Sequence, residues 1–452
     1  MHIRIAAAVL AVALVVPCYA LTPEAKSSRV ALNADQRAKL AYSRAVAPVS
    51  PPPVNVNSRG EIYLQTVPEL QTTTGRIVGK SRKGESILYT IDPQLHELAK
   101  KLVAKANAPH LAVVAMEPST GRVLAMAEKS QTLQHPLLHA RFPAASLFKI
   151  ITAAAALETN TIQPLSVVNY RGGTYTLNRW NYTVDPRQDR RKMSFAEAIG
   201  KSCNPVFARV ALKHLVPSRL RVYADRFGFN SDLKFDIPLQ ESVARVPGDN
   251  YEFSRTAAGF GDVSISPIHA AALMAAVANR GLLPRPRLVD KVVAADGTVR
   301  YSARTEYLRR AVHPDTAEQL MGMLEYTTTS GTSRNEFFVG KRQLLPNVRV
   351  AGKTGTLRGT QPLGLNKWFI GAAPFEKPRI VVAVIAVNPL SSSARPSHIG
   401  RLLIQEYLDV APAPAPAAAP LKASYKRPVK PARKPAPRPK PKKAPSKQSR
   451  KR

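Results

Sequence analysis

The stretch Arg379-Ile-Val-Val-Ala-Val-Ile-Ala-Val387 is apolar from its second residue onward. It offers no polar face, as a central strand covered on both sides does not. The segments before it fit the same sheet. Arg349-Val-Ala-Gly352 leads into Lys353-Thr-Gly-Thr356, and Trp368 to Ala373 follows after a loop. Near the other end, Leu111 to Met116, the turn Glu117-Pro-Ser-Thr-Gly121 and Arg122 to Met126 predict a β-hairpin. The middle of the chain is helical in pattern. The expected class is α/β of the α+β type. An antiparallel sheet is formed by early and late strands, flanked by helices, with a mostly helical section between them. A chain of 452 residues, 44% hydrophobic, can bury such a core.

Local signals place the elements. Ser86 to Ile91 reads as a strand, and Asp92-Pro93 then starts a helix over Gln94 to Ala104, with aspartate as N-cap and proline at the first helical position. Ser194-Phe-Ala-Glu197 has the form of a capping box and opens a short helix ending near Gly200. Ser202-Cys203-Asn204 follows at once, before a second helix through Val206, Val210 and Leu212. A Ser-x-Asn tripeptide thus sits in the joint between two helices. Gly259 to Pro267 is a glycine-bearing loop before a helix over His269 to Ala278, and His398 to Leu408 predicts the closing helix.

Composition divides the chain. Residues 1–20 read as a signal peptide or short membrane anchor: Ile5 to Val16 is apolar, and Pro17-Cys-Tyr-Ala20 offers a cleavage point. Residues 21–84 form a Pro-rich linker and short lead, residues 85–410 the folded unit, and residues 411–452 a Pro/Ala/Lys-rich tail too poor in bulky side chains to fold. The net charge of +36 points to anionic surroundings. With export expected, these are envelope polymers or a membrane surface met by the tail, and no nucleic acid partner is expected. Removal of the signal leaves Cys203 as the one thiol, so no internal disulfide forms. No metal-type spacing of Cys and His occurs, and no metal or other cofactor is expected.

The chemistry concentrates at Phe142-Pro-Ala-Ala-Ser146-Leu-Phe-Lys149, which runs into the apolar helical stretch Ile150 to Leu157. If Ser146 lies in the first turn, Lys149 is its neighbour one turn on. A lysine kept partly neutral by burial and nearby cations can take the proton of a serine hydroxyl. The pattern alone is weak, because a second copy, Ser231-Asp-Leu-Lys234, stands in a turn-like context with no helix behind it. The ordered set Ser146-x-x-Lys149, Ser202-x-Asn204 and Lys353-Thr-Gly355 is far more specific.

Over roughly Glu85 to Val410 the chain resembles the transpeptidase domain of penicillin-binding proteins, of the serine D,D-peptidase and β-lactamase-like superfamily. Tyr89-Thr-Ile-Asp-Pro93, Glu117-Pro-Ser-Thr-Gly121 and Gly352-Lys-Thr-Gly-Thr356 agree with that family. The resemblance implies a β-lactamase/transpeptidase-like fold and an exported, extracytoplasmic acyl-serine D,D-transpeptidase. Its substrates would be D-Ala-D-Ala stem peptides in peptidoglycan cross-linking, and penicillin and other β-lactams would inhibit it by acylating Ser146. Lys149 is then the general base and Ser202 a proton shuttle. Asn204 holds Lys149 and the substrate amide, and Lys353 raises the local positive potential, helping to keep Lys149 neutral and drawing in the terminal carboxylate. Thr354, Gly355 and Thr356 bind substrate, and the backbone N–H groups of Ser146 and Thr356 form the oxyanion hole. The lead before Glu85 is too short for a glycosyltransferase domain, so a separate glycosyltransferase partner is expected. A D,D-carboxypeptidase or β-lactamase on the same fold, and a non-catalytic penicillin-binding sensor or envelope scaffold, are the alternatives.

Overall fold

The computed structural model describes residues 54–56, 62–68, 70–73, 75–388 and 394–410. The expected signal segment, most of the linker and the basic tail lie outside them. Helix α1 (Pro93–Lys105) begins as the sequence predicts: the Asp92 side chain accepts the Leu95 N–H at 2.9 Å, with Pro93 in the first turn. Strands β1 (His110–Met116) and β2 (Val123–Ser130) make the early hairpin. The middle holds α2 (Lys149–Leu157), α3 (Phe195–Gly200), α4 (Asn204–His214), α5 (Pro267–Ala278) and α6 (Pro314–Thr329). Strands β3 (Ala351–Thr360), β4 (Leu363–Ala373) and β5 (Ile380–Asn388) follow, and α7 (Pro396–Tyr407) comes last.

Early and late strands meet in one antiparallel sheet of order β3-β4-β5-β1-β2. Every residue of β5 is buried, which is why its sequence has no polar face. Alternate side chains of β1 and β5 enter two cores. Val113, Ala115, Val382 and Val384 pack with Leu95 and Ala99 of α1 and Leu403 and Ile404 of α7. Val114, Met116, Val381 and Ile385 join the larger core, with α2 and α5. Truncating a buried leucine or isoleucine to alanine in such a core costs about 2–5 kcal/mol. Strand β3 lies at the edge of the sheet.

Two features extend beyond the sequence-based expectation. Order reaches further back than Glu85. Arg76–Lys80 and Gln71–Thr73 extend a second five-stranded sheet from Ser86–Tyr89, and Ile62, Leu64 and Ile77 are buried in the larger core. Gly60 to Val78 offers a strand or two by sequence, but strands of three to five residues carry too little alternation to fix their number or pairing locally. The glycine-bearing loop also contains a short strand, Val263–Ile265, which pairs with Phe142–Pro143 just ahead of Ser146. Among the described residues, no helix is long and apolar enough to cross a membrane.

Candidate active site

The turn carrying Ser146 is held from several sides. Phe142–Pro143 is paired to Val263–Ile265, and the Ala144 N–H donates to the Val263 carbonyl at 2.9 Å. Trp368 of β4 donates its indole N–H to the Pro143 carbonyl at 2.9 Å and meets Phe142 edge-on, with centroids 6.1 Å apart. Ala145 then takes φ +50°, a left-handed conformation that a residue with a Cβ adopts at a strain cost. A 3₁₀ turn over Ala145–Phe148 feeds directly into α2. Two glycines let neighbouring backbone press on this turn. A Cβ on Gly259, itself at φ +93°, would lie 2.4 Å from the Ala145 carbonyl oxygen, and one on Gly355 would lie 3.3 Å from the Ala144 carbonyl oxygen.

Helix α3 explains the second group. Its capping box forms as the sequence implies, with both Ser194 and Glu197 side chains engaged. It ends in a Schellman arrangement: Ser202 N–H donates to the Ile199 carbonyl and Cys203 N–H to the Ala198 carbonyl. Ser202 occupies the left-handed position usually held by glycine, at φ +57°. Asn204 is the first residue of α4, followed by Pro205. Its backbone N–H donates to the Thr174 carbonyl at 2.8 Å, and its Nδ2 to the Tyr175 carbonyl at 2.6 Å. The amide is therefore oriented with Oδ1 toward Lys149.

Lys149 is fully buried, and its Nζ lies 2.9 Å from Ser146 Oγ, 2.7 Å from Asn204 Oδ1 and 2.5 Å from the Ala258 carbonyl oxygen. A neutral amine has two N–H donors and one lone pair. Asn204 and Ala258 offer only acceptors, so they take both donors and leave the lone pair for the Ser146 hydroxyl proton. Burial pulls the Lys149 pKa down from 10.5 to about 7. Desolvation is the main cause of that shift, as expected for an enclosed amine. Lys353 is equally buried, and its pKa is pushed well below its ordinary value by desolvation first and Lys149 second. Its Nζ donates to Ser202 Oγ at 3.0 Å and to the Thr354 carbonyl at 2.9 Å, so Lys353 is the amine bonded to the Ser202 hydroxyl.

The expected residues converge on one place. Ser146, Ser202, Asn204, Thr354 and Thr356 line a cleft of about 520 Å³, Lys149 and Lys353 lie beneath it, and Gly355 is buried between the two threonines. Cys203 points away from solvent, and burial pushes its thiol up to about 11, which keeps it protonated. Sequence reasoning missed three contributors. The Ala258 and Tyr175 carbonyls act through backbone and leave no residue-type signal. Thr332, in the turn after α6, donates its N–H to the Gly200 carbonyl at 3.1 Å, and its hydroxyl meets that of Thr354 at 2.5 Å, joining the Ser-x-Asn and Lys-Thr-Gly elements. Among the described residues, no cluster of three or more His, Cys, Asp or Glu is placed to hold a metal ion.

The chain has known relatives. Residues 111–403 match the penicillin binding protein transpeptidase domain, and the chain belongs to that family. It is 28% identical over 380 residues to the peptidoglycan D,D-transpeptidase PbpA of Mycobacterium tuberculosis, covering 74% of each chain. The crystal structure of PBPA from M. tuberculosis superposes with a TM-score of 0.60 at 26% identity, over 72% of this chain and 83% of that one. The ceftriaxone acyl-enzyme complex of penicillin-binding protein A from M. tuberculosis gives 0.59 at 26% identity, over 71% and 80%.

Proposed function

We propose that this chain is a serine-type D,D-transpeptidase that cross-links peptidoglycan and is acylated by β-lactams at Ser146. The observation that carries this is the placement of Lys149 Nζ, whose two fixed acceptors leave its lone pair directed at Ser146 Oγ. Ser146 Oγ attacks the carbonyl of the penultimate D-Ala while its proton passes to Lys149. Charge on the carbonyl oxygen is taken by the backbone N–H groups of Ser146 and Thr356. The C–N bond breaks, and the terminal D-Ala leaves as an amine that receives its proton through Ser202, whose hydroxyl is held by Lys353. An amine of a neighbouring stem peptide then attacks the ester, forms the cross-link and frees Ser146. With a β-lactam, the same attack opens the ring, and the adduct stays on the serine.

The family membership and the relatives named D,D-transpeptidase support this reading. Its site of action is extracytoplasmic, as the N-terminal sequence suggests. The basic tail would act as an electrostatic tether to anionic envelope polymers, weakened by salt, and a separate glycosyltransferase would supply the glycan strands. The test is covalent labelling by a fluorescent penicillin. Wild type acquires a label that persists for hours, and Ser146→Ala, shown to be folded by circular dichroism, acquires none. No label on folded wild type would overturn the assignment, and rapid loss of the label would redirect it to a β-lactamase.

A further inference from the structure

We propose that Lys367 is a specificity-determining residue that supplies the positive charge for the carboxylate end of the substrate. The proposal rests on the transpeptidase reading and concerns a strand that the three motifs do not include. Lys367 lies on β4, directly opposite Thr356 of β3 in the antiparallel register. Residues facing each other in such a pair stand on the same side of the sheet with Cβ atoms about 5 Å apart. Both side chains line the cleft.

Three further observations single out this lysine. No Asp or Glu among the described residues lines the cleft, and Lys367 is the one lysine or arginine on its wall. Among the described residues, its ammonium has no hydrogen-bond or ion-pair partner, although the side chain is half-buried. Cations that do have acidic neighbours are engaged by them, as Arg349 is by Glu325 and Glu376 and Lys201 by Glu197. Lastly, the motif lysine is poorly placed for this task. Lys353 is enclosed beneath the cleft, its Nζ is committed to Ser202 Oγ and the Thr354 carbonyl, and burial disfavours its charge. The hydroxyl of Thr354 is already shared with Thr332. A carboxylate brought against Thr356 therefore finds hydroxyl and backbone donors there, with the exposed Arg358 two residues further along β3 outside the cleft lining, and the one cation that lines the cleft, Lys367, opposite on β4. A charge-assisted bond of this kind is about twice as strong as a neutral one.

The test uses two small thioester substrates on the full chain: an N-acyl-D-alanyl-thioglycolate, whose leaving group carries a carboxylate, and its neutral methyl ester. For each enzyme the ratio of the two acylation efficiencies is measured, so that a general loss of activity cancels. Lys367→Gln is expected to lower wild type's preference for the carboxylate form roughly tenfold, and Lys367→Arg to restore most of it. A ratio unchanged in Lys367→Gln would overturn the role of Lys367 while leaving the enzyme assignment standing. A wild type acylated by neither thioester nor penicillin would overturn both.

Discussion

The chain carries the Ser-x-x-Lys pattern twice, and the two copies stand in different physical surroundings. Ser146 lies in a 3₁₀ turn and Lys149 opens the buried helix that continues it, so three residues of separation bring Nζ within 2.9 Å of Oγ. Ser231 and Lys234 lie in a turn where Lys234 takes φ +53° and its side chain is exposed. There the Ser231 hydroxyl donates to the Gly228 carbonyl and accepts from Arg309, each at 3.3 Å, and Lys234 uses its backbone N–H on Asp232 Oδ1 at 2.7 Å. The pattern by itself fixes no chemistry. What separates the copies is helical geometry, which aims the amine, and burial, which neutralises it.

The sharpest break of this comparison is Lys149→Met, which keeps the volume and removes the base. Acylation by penicillin should fall by about 10²–10⁴, while Lys234→Met labels at the wild-type rate. Stopped-flow labelling measures both, and equal rates for the two variants would erase the distinction. Next in size is the pH response. With Lys149 titrating at about 7, the acylation rate should drop about tenfold per unit as pH falls below 7 and level off above it. Stability carries the same signature. Between pH 7 and 10.5 the unfolded chain holds a proton at this lysine that the folded chain lacks, so folding stability gains with rising pH across that window. Urea titrations at several pH values should show a flatter dependence in Lys149→Met. The smallest expected effect is at the second copy: Ser231→Ala should shift stability by no more than about 0.5 kcal/mol. A larger loss would assign Ser231 a structural role through Arg309.

The legible parts of this molecule are those encoded by local pattern. The unbroken apolar run of β5, the capping box of α3 and the Asp92-Pro93 start of α1 each state their structure within a few residues, and they recur where expected. The eight motif residues could be brought to one cleft because their order along the chain is specific. What escaped is non-local. That Ala258 and Tyr175 lend carbonyls to Lys149 and Asn204 depends on how distant loops pack. How completely Lys149 is enclosed depends on what covers the site. The left-handed turns at Ala145 and Ser202 had no glycine to announce them.

Strand β3 has a consequence beyond its side chains. It is the outermost strand of its sheet, and the cleft runs along it, so the row of backbone groups it turns outward has no partner within that sheet. A peptide laid there in extended form becomes a sixth strand, caught by amide-to-carbonyl bonds that are blind to side-chain identity. Recognition then divides into two layers. The sheet measures shape and direction and tolerates a change of residue. It resists a proline, which lacks the hydrogen that such a strand must offer.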